Sequence, residues 1–333
     1  MNPDVTRPLP LPDGRVVRGE QRQGDTWLWC DGQPLLHLRS GEDDSLQLLE
    51  LAAADGAAAL WNACYWCFAH RPQARRLTWR GLDEAAVQRC QDWLRPAAEA
   101  GVWQVERGVF WQLAQPWLAQ PQAPYPEQLV MRDGKRHPLR RSKPRGELYR
   151  RFDARLGAWI SLRSLDIDAD LERFNRWQNT PRVLQFWQEG GSLEQHRTYL
   201  QGIAAAPHVH SLIGCFDDQP FAYFELYWAR EDRIAPFYAV DDYDRGIHML
   251  VGEQAHRGPH KVASWLAALT HYAFLDDPRT RKVVAEPRAD NAKMIGYMQQ
   301  LGYYREKDFD FPHKRAALMA IGRERFFDGG ALC

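Results

Sequence analysis

Four prolines, Pro116, Pro121, Pro124 and Pro126, divide this chain more firmly than any other feature. Each fixes φ and removes a backbone donor, so neither a helix nor a sheet interior passes through them. A basic run follows, Lys135-Arg136-His137-Pro138 and then Arg140, Arg141, Lys143 and Arg145. The chain has 333 residues, enough for two domains of about 150 residues each. The break predicts a first domain at 1–120, a linker at 121–147 and a second domain at 148–333. Two readings stand for the basic run: a solvated linker, or a grip on the phosphates of a nucleotide-bearing cofactor.

Charge narrows the function classes. Lys and Arg number 43, as do Asp and Glu, so the formal net charge is zero. Nucleic-acid-binding domains run basic, and none is expected here. No apolar run reaches the roughly 18 residues that a membrane span needs. Met1-Asn2-Pro3-Asp4 carries no basic segment leading into an apolar one, so a cytoplasmic protein is expected. Hydrophobic residues make up 45%, enough for ordinary cores. Of 14 Trp, nine precede residue 120. Rings that large build cores or line clefts.

The first part reads as a small α/β unit. Strands are predicted at 15–19, 26–30 and 35–38, a helix at 56–70 and a strand at 76–79. A second helix is N-capped by Asp83, with Ala86, Cys90, Trp93 and Leu94 inward. Trp103, Val105, Val109, Trp111 and Leu113 alternate as in a strand. Six cysteines stand at 30, 64, 67, 90, 215 and 333. Cys64 and Cys67 form one C-x-x-C, and Leu60, Cys64, Cys67 and Phe68 recur at helical spacing, which predicts core packing rather than redox chemistry. A zinc site needs a second pair, and no metal is expected.

The second part reads as a strand at 158–165, helices at 166–177, around Val183 to Trp187 and from Ser192 to Leu200, then a hairpin of 211–216 with 220–228. A strand at 246–252, a helix from Pro259, a strand at 282–286, a helix from Asn291 to a Gly302 stop, and a strand at 316–321 follow. A capping box is expected at Ser192 and Gln195. Hairpins mixed with a βαβ crossover predict an α+β layered fold.

The strand at 246–252 runs into Arg257-Gly258-Pro259-His260 and a helix. A glycine turn at a helix N-terminus presents free N–H groups that suit a pyrophosphate, with Arg257 and Lys261 beside it. One βα unit later stand Asn291-Ala292-Lys293-Met294 and Gln300-Leu301-Gly302-Tyr303. Together these resemble the GCN5-related N-acetyltransferase (GNAT) superfamily. Its turn's second small residue is His260 here. Its tyrosine acid falls on Met298, while Tyr297, about 100° around the helix, is expected in the core.

Within that superfamily, residues 145–325 look like the siderophore-biosynthesis branch. The matching stretches are 177–183 (WQNTPRV), 185–187 (QFW), 223–229 (YFELYWA), 242–248 (DYDRGIH), 285–291 (AEPRADN) and 311–316 (FPHKRA). The resemblance is closest to aerobactin-type N6-hydroxylysine acetyltransferases. It implies a GNAT fold with a mixed, splayed central sheet, and residues 1–120 resemble that family's N-terminal extension, in coarse pattern a degenerate copy of the same fold. It implies acetyl-CoA as acyl donor, held by Met249, Leu250, Val251, Arg257, Gly258, Pro259, His260, Lys261 and Asn291. The acceptor is an N-hydroxylated amine: N6-hydroxylysine, N-hydroxyornithine or an N-hydroxydiamine. An amine N-hydroxylase and siderophore synthetases are the implied pathway neighbours, and a homodimer is the general expectation for self-association.

The family's catalytic pair lands on His248 and Glu286. A hydroxylamine nitrogen is largely neutral at pH 7, so a modest base such as His248 suffices, with Glu286 orienting the imidazole. The departing thiolate takes a proton from solvent or from His248. Alternation puts Tyr223, Glu225 and Tyr227 on one strand face, where Glu225 can receive the substrate's amine or pair with Arg233. Trp187 and Trp228 are candidate pocket walls or core. His313 and Lys314 meet the substrate carboxylate or are surface charge, as is also open for Arg315. Two other functions stay open: acetylation of another amine such as an aminoglycoside or polyamine, and a non-catalytic CoA-binding module.

Overall fold

Residues 4, 5 and 7–332 are described by the computed structural model; Met1, Asn2, Pro3, Thr6 and Cys333, and the side chains of Asp4 and Val5, lie outside the described residues. The leader reading and Cys333 therefore fall largely outside them. The chain forms two compact units. One comprises Met1–Pro116, Phe152–Gly157 and Leu332–Cys333, the other Trp117–Arg151 and Ala158–Ala331.

In the first unit, short polar turns separate strands β1 (Asp4–Val5), β2 (Leu9–Pro10), β3 (Val16–Arg22), β4 (Asp25–Cys30), β5 (Gln33–Ser40) and β6 (Ser45–Leu51). Helix α1 (Gly56–His70) begins where the Asp55 carboxylate accepts from Ala57 and Ala58, satisfying two otherwise orphaned amides. Strand β7 (Arg76–Arg80), α2 (Glu84–Arg89), β8 (Arg95–Pro96), β9 (Val102–Glu106) and the single turn α3 (Arg107–Phe110) complete it. Asp83 caps α2, accepting from Ala86 at 2.6 Å. The sheet order is β1-β3-β4-β5-β6-β7-β9-β8, with β2 on β3.

Aromatic rings and α1 fill that core. Trp66, Trp79, Phe68 and Phe110 are fully buried, and the ring of Trp66 lies where a Cβ on Gly19 would sit, 2.5 Å from it. Cys64 and Cys67 are buried, and burial pushes the Cys67 thiol up to about 12. A thiol so placed is unreactive, which agrees with the core reading of the C-x-x-C. The expected long strand at 103–113 stops at Glu106. Buried Arg107 turns the chain there, donating to the carbonyls of Phe68, Arg71 and Ala74 around the end of α1.

In the second unit, part of the expected linker is ordered. Strands β10 (Leu129–Arg132) and β11 (Lys135–Pro138) form a hairpin. Its turn is Asp133-Gly134, φ 50° and 73°, the positive-φ pair that a two-residue hairpin requires. Three cations of the basic run are engaged with protein groups. Arg140 holds the Glu231 carboxylate at 2.6 and 2.8 Å, Arg141 the Asp276 carboxylate at 2.5 Å, and Lys143 the carbonyls of Ile203 and Ala204 at 2.9 Å.

The rest is β12 (Glu147–Asp153), β13 (Ala158–Ser164), α4 (Ile167–Gln178), α5 (Pro181–Trp187), α6 (Leu193–Ala205), β14 (Val209–Phe216), β15 (Gln219–Trp228), β16 (Arg245–Val251), α7 (Pro259–Asp276), β17 (Lys282–Ala285), α8 (Ala292–Leu301), β18 (Tyr304–Phe311), β19 (Lys314–Gly322) and α9 (Arg323–Asp328). The capping box at Ser192 and Gln195 is present. The sheet order is β12-β13-β14-β15-β16-β17-β19-β18. From β13 onward it repeats the order of β3-β4-β5-β6-β7-β9-β8, including one parallel pair joined by a helix and an inverted last hairpin. The two units thus share one α+β topology. The first joins β3 to β4 by a tight turn at Gln23-Gly24, where the second inserts α4, α5 and α6.

Candidate active site

Strand β16 lies between antiparallel β15 and parallel β17. Its parallel pairing covers only Arg245 with Val283 and Gly246 with Val284, although β16 continues to Val251. Two residues past the last pair stand His248 and Glu286. Gly246 makes room for this arrangement: a Cβ there would meet the Tyr227 ring at 2.0 Å.

His248 bridges two carboxylates. Its Nδ1 is 2.7 Å from Glu225 Oε2, the residue directly across the β15–β16 ladder, and its Nε2 is 2.5 Å from Glu286 Oε1. Tyr199 and Tyr223 both donate to Glu225 Oε1, at 2.6 and 2.7 Å, and Tyr227 donates to Glu286 Oε2 at 2.8 Å. Lys314 Nζ donates to the Glu286 carbonyl at 2.8 Å. Burial alone would lower the His248 pKa, but the two carboxylates outweigh it and raise it to about 10. Burial would likewise raise both glutamates, and the His248 charge outweighs it, holding Glu225 low and Glu286 at about 2. The ring is therefore an imidazolium near neutrality, with both N–H groups engaged.

A cavity of about 770 Å³ opens onto this array. Of the expected site residues, Glu225, Tyr227, Trp187, His248, Met249, Leu250, Val251, Arg257, Gly258, Glu286, Asn291, His313 and Lys314 line it. Trp187 sets its ring edge-on to His248 at 6.3 Å. Glu225, expected to take an amine, instead spends its oxygens on His248, Tyr199 and Tyr223.

Trp228 is not a wall of this cavity. Successive strand residues face opposite ways, so Trp228 points away from Tyr227 and sits between the guanidinium groups of Arg140 at 4.1 Å and Arg245 at 3.9 Å. Lys261 sets its Nζ over the Phe216 ring at 4.3 Å. Pro259, His260 and Lys261 do not line the cavity with their side chains. They do form the first turn of α7, where Pro259 stands in the first turn and no side chain caps the free amides. Tyr297, expected in the core, is half-buried and lines the cavity.

The residues present suit an anionic, phosphate-bearing cosubstrate. Gly258 caps α7 with φ 122°, a conformation that side chains resist. Arg257 Nη2 donates to the Gly252 carbonyl at 3.0 Å, while its buried Nε has no partner. Arg182, in the first turn of α5 and within the WQNTPRV stretch, also lines the cavity, its pKa lowered by burial and by the neighbouring charge of Arg257. Two cations pressed together beside free helix amides favour an anion between them. Sequence reasoning did not single out Arg182, Asp232 or Tyr199; the first stands in a matched motif, the other two carried no local signal. Among the described residues no group of three or more His, Cys, Asp or Glu could hold a metal, and no helix is long and apolar enough to cross a membrane.

Comparison with known proteins agrees with this geometry. Residues 166–311 match the family model of the acetyltransferase (GNAT) domain. The chain is 45% identical to the N(6)-hydroxylysine O-acetyltransferase of Escherichia coli over 85% of this chain and 84% of that one. It is 49% identical to the N(5)-hydroxyornithine:cis-anhydromevalonyl coenzyme A-N(5)-transacylase of Beauveria bassiana over 57% of this chain and 43% of the other. The crystal structure of an uncharacterized Bacillus halodurans protein, 28% identical, superposes with a TM-score of 0.53 over 56% of this chain and 96% of its own. The fold, the clamped histidine, the anion-ready turn and these similarities lead to one conclusion: the chain belongs to the GNAT acetyltransferase family and is an acetyltransferase that takes its acyl group from acetyl-CoA.

Proposed function

We propose that this chain acetylates the hydroxylamine nitrogen of N6-hydroxylysine, or of a similar N-hydroxylated ornithine or diamine, making a hydroxamate for siderophore biosynthesis. The observation that carries the reading is a His248 held between two buried glutamates, in a chain 45% identical to an N(6)-hydroxylysine O-acetyltransferase along most of both lengths. A neutral hydroxylamine attacks without first losing a proton, and its nitrogen becomes acidic only once bonded to carbon. A weak base then suffices.

In this reading the nitrogen lone pair adds to the thioester carbonyl, the C–S bond breaks, and the nitrogen's proton passes to the Glu286–His248 pair. With both ring nitrogens engaged, the oxygen that first receives it is a carboxylate oxygen of Glu286, and His248 keeps that carboxylate ionised until then. CoA leaves as thiolate and is protonated by solvent or by Tyr297, whose ring lines the cavity. Arg182, Arg257 and the amides of His260 and Lys261 hold the phosphates, and Met249 to Val251 lie along the donor's arm. His313 and Lys314 lie at the acceptor side. We assign the acyltransferase domain to 148–333, with 1–120 a separate domain, and place the enzyme in the cytoplasm, as a homodimer working after an amine N-hydroxylase and before a siderophore synthetase.

The test is release of free thiol from acetyl-CoA with N6-hydroxylysine against lysine. Release with the hydroxylamine and little with lysine is expected; release with neither, from folded protein, overturns the reading.

A further inference from the structure

The acceptor side of the cavity ends at a carboxylate that the array around His248 does not use. Asp232 lies in the β15–β16 connection, lines the cavity with His208 and Arg233, and is largely buried. The other buried acids nearby are saturated. Glu225 accepts from two tyrosines and His248, Glu286 from Tyr227 and His248, and Glu231 holds Arg140 together with His137 at 3.1 Å. Asp232 is not. Its Oδ1 accepts from the Ile234 amide at 3.1 Å, but its Oδ2 is 3.8 Å from His208 Nε2, beyond hydrogen-bond reach.

His208 supplies little charge there, since burial lowers its pKa and keeps the ring neutral. Arg233, next in the chain, is half exposed and turns toward Phe311 and Glu286. A buried carboxylate with an open oxygen facing a cavity calls for a cation. Glu189 also lines the cavity but is exposed. Asp232, His248 and Glu286 line the same cavity, so one acceptor can meet both ends.

Resting on the N-hydroxyamine reading, we propose that Asp232 binds a second, ammonium group on the acceptor, so that the enzyme selects hydroxylamines carrying an amine at the far end of their carbon chain. The α-ammonium of an ω-hydroxyamino acid meets this requirement.

The experiment compares kcat/KM for N6-hydroxylysine with that for 6-(hydroxyamino)hexanoate, which keeps the carboxylate and lacks the ammonium. Wild type should prefer hydroxylysine by about 10²-fold, and Asp232→Asn should remove most of that preference, as losing one partner of a buried charge pair does. The variant's turnover of the deaminated acceptor should stay near wild type, which also shows that it folds. Equal rates for the two acceptors in wild type, an equal loss on both in Asp232→Asn, or transfer of the selective loss to Glu189→Gln each overturn the proposal. Wild type that acylates neither hydroxylamine overturns the underlying reading, and the role of Asp232 with it.

Discussion

His248 and Glu225 face each other directly across the β15–β16 ladder, with Nδ1 and Oε2 2.7 Å apart. Glu286 meets the other ring nitrogen from β17. The backbone register thus builds a carboxylate–imidazolium–carboxylate row at the point where parallel pairing stops. Glu225→Gln keeps the shape but removes one charge, and Tyr199 and Tyr223 then face an amide. The variant should lose roughly 10-fold or more in kcat with KM for acetyl-CoA nearly unchanged. Steady-state kinetics in both substrates check this; unchanged kcat would show that Glu225 is a bystander.

The imidazole should titrate far from its ordinary 6.5. Its pKa is raised to about 10, so the row's contribution to stability is full below pH 6.5 and fades as pH rises through about 10. Glu286, lowered to about 2 from 4.5, contributes fully above pH 4.5, and that share is lost progressively as pH falls from there through about 2. NMR of the His248 ring across pH 5–10 should show the protonated form throughout the neutral range. A midpoint near 6.5 would contradict the clamp.

Removing the reacting groups should have unequal effects. His248→Ala should lower kcat by about 10²-fold or more, the usual size of acid–base assistance. It leaves two buried carboxylates facing each other, so thermal stability should fall too. Glu286→Gln removes the oxygen that first receives the proton and should cost kcat more than His248→Ala does, whereas a smaller loss would make His248 the principal proton acceptor.

The α7 turn should govern donor binding alone. Gly258 has φ 122°, and a side chain there costs of order 1–2 kcal/mol of strain. Gly258→Ala should raise KM for acetyl-CoA about 10-fold, since about 1.4 kcal/mol is a factor of ten, and leave kcat largely intact. A matched fall in kcat would mean that the turn positions the thioester as well.

Gly246→Ala places a methyl group against the Tyr227 ring, 2.0 Å from its nearest atom. Overpacking of this kind costs about 1–3 kcal/mol, read as a lower Tm. Because Tyr227 donates to Glu286, kcat should fall with it. A stable, fully active variant would show that the ring moves aside freely.

Where the physics is local, the sequence was legible. Asp83, Ser192 and Asn291 each begin a helix with a side-chain acceptor, as read, and α1 spans the expected 56–70, while the Asp55 cap went unread. Asp133-Gly134 was an unread hairpin signal between prolines. Strand β18 escaped because its sequence, YREKDFDF, is charged and mostly exposed, as an edge strand often is. In the site, alternation placed Tyr223, Glu225 and Tyr227 on one face, yet period two carries no cross-strand register, so Glu225 was matched to a ligand rather than to His248. The same alternation already opposed Trp228 to Tyr227. His248 and Glu286 came from resemblance, because residues 38 positions apart meet only through the crossover. Tyr297 was misplaced because helical angle alone does not tell what covers a face.

The central claim is acyl transfer to a hydroxylamine nitrogen. Its most direct measurement is the ferric-ion colour assay of the product formed from acetyl-CoA and N6-hydroxylysine, run beside CoA release. One hydroxamate per CoA released, with nitrogen acylation seen by NMR, is the predicted result. CoA release with an O-acetyl product and no hydroxamate would contradict it.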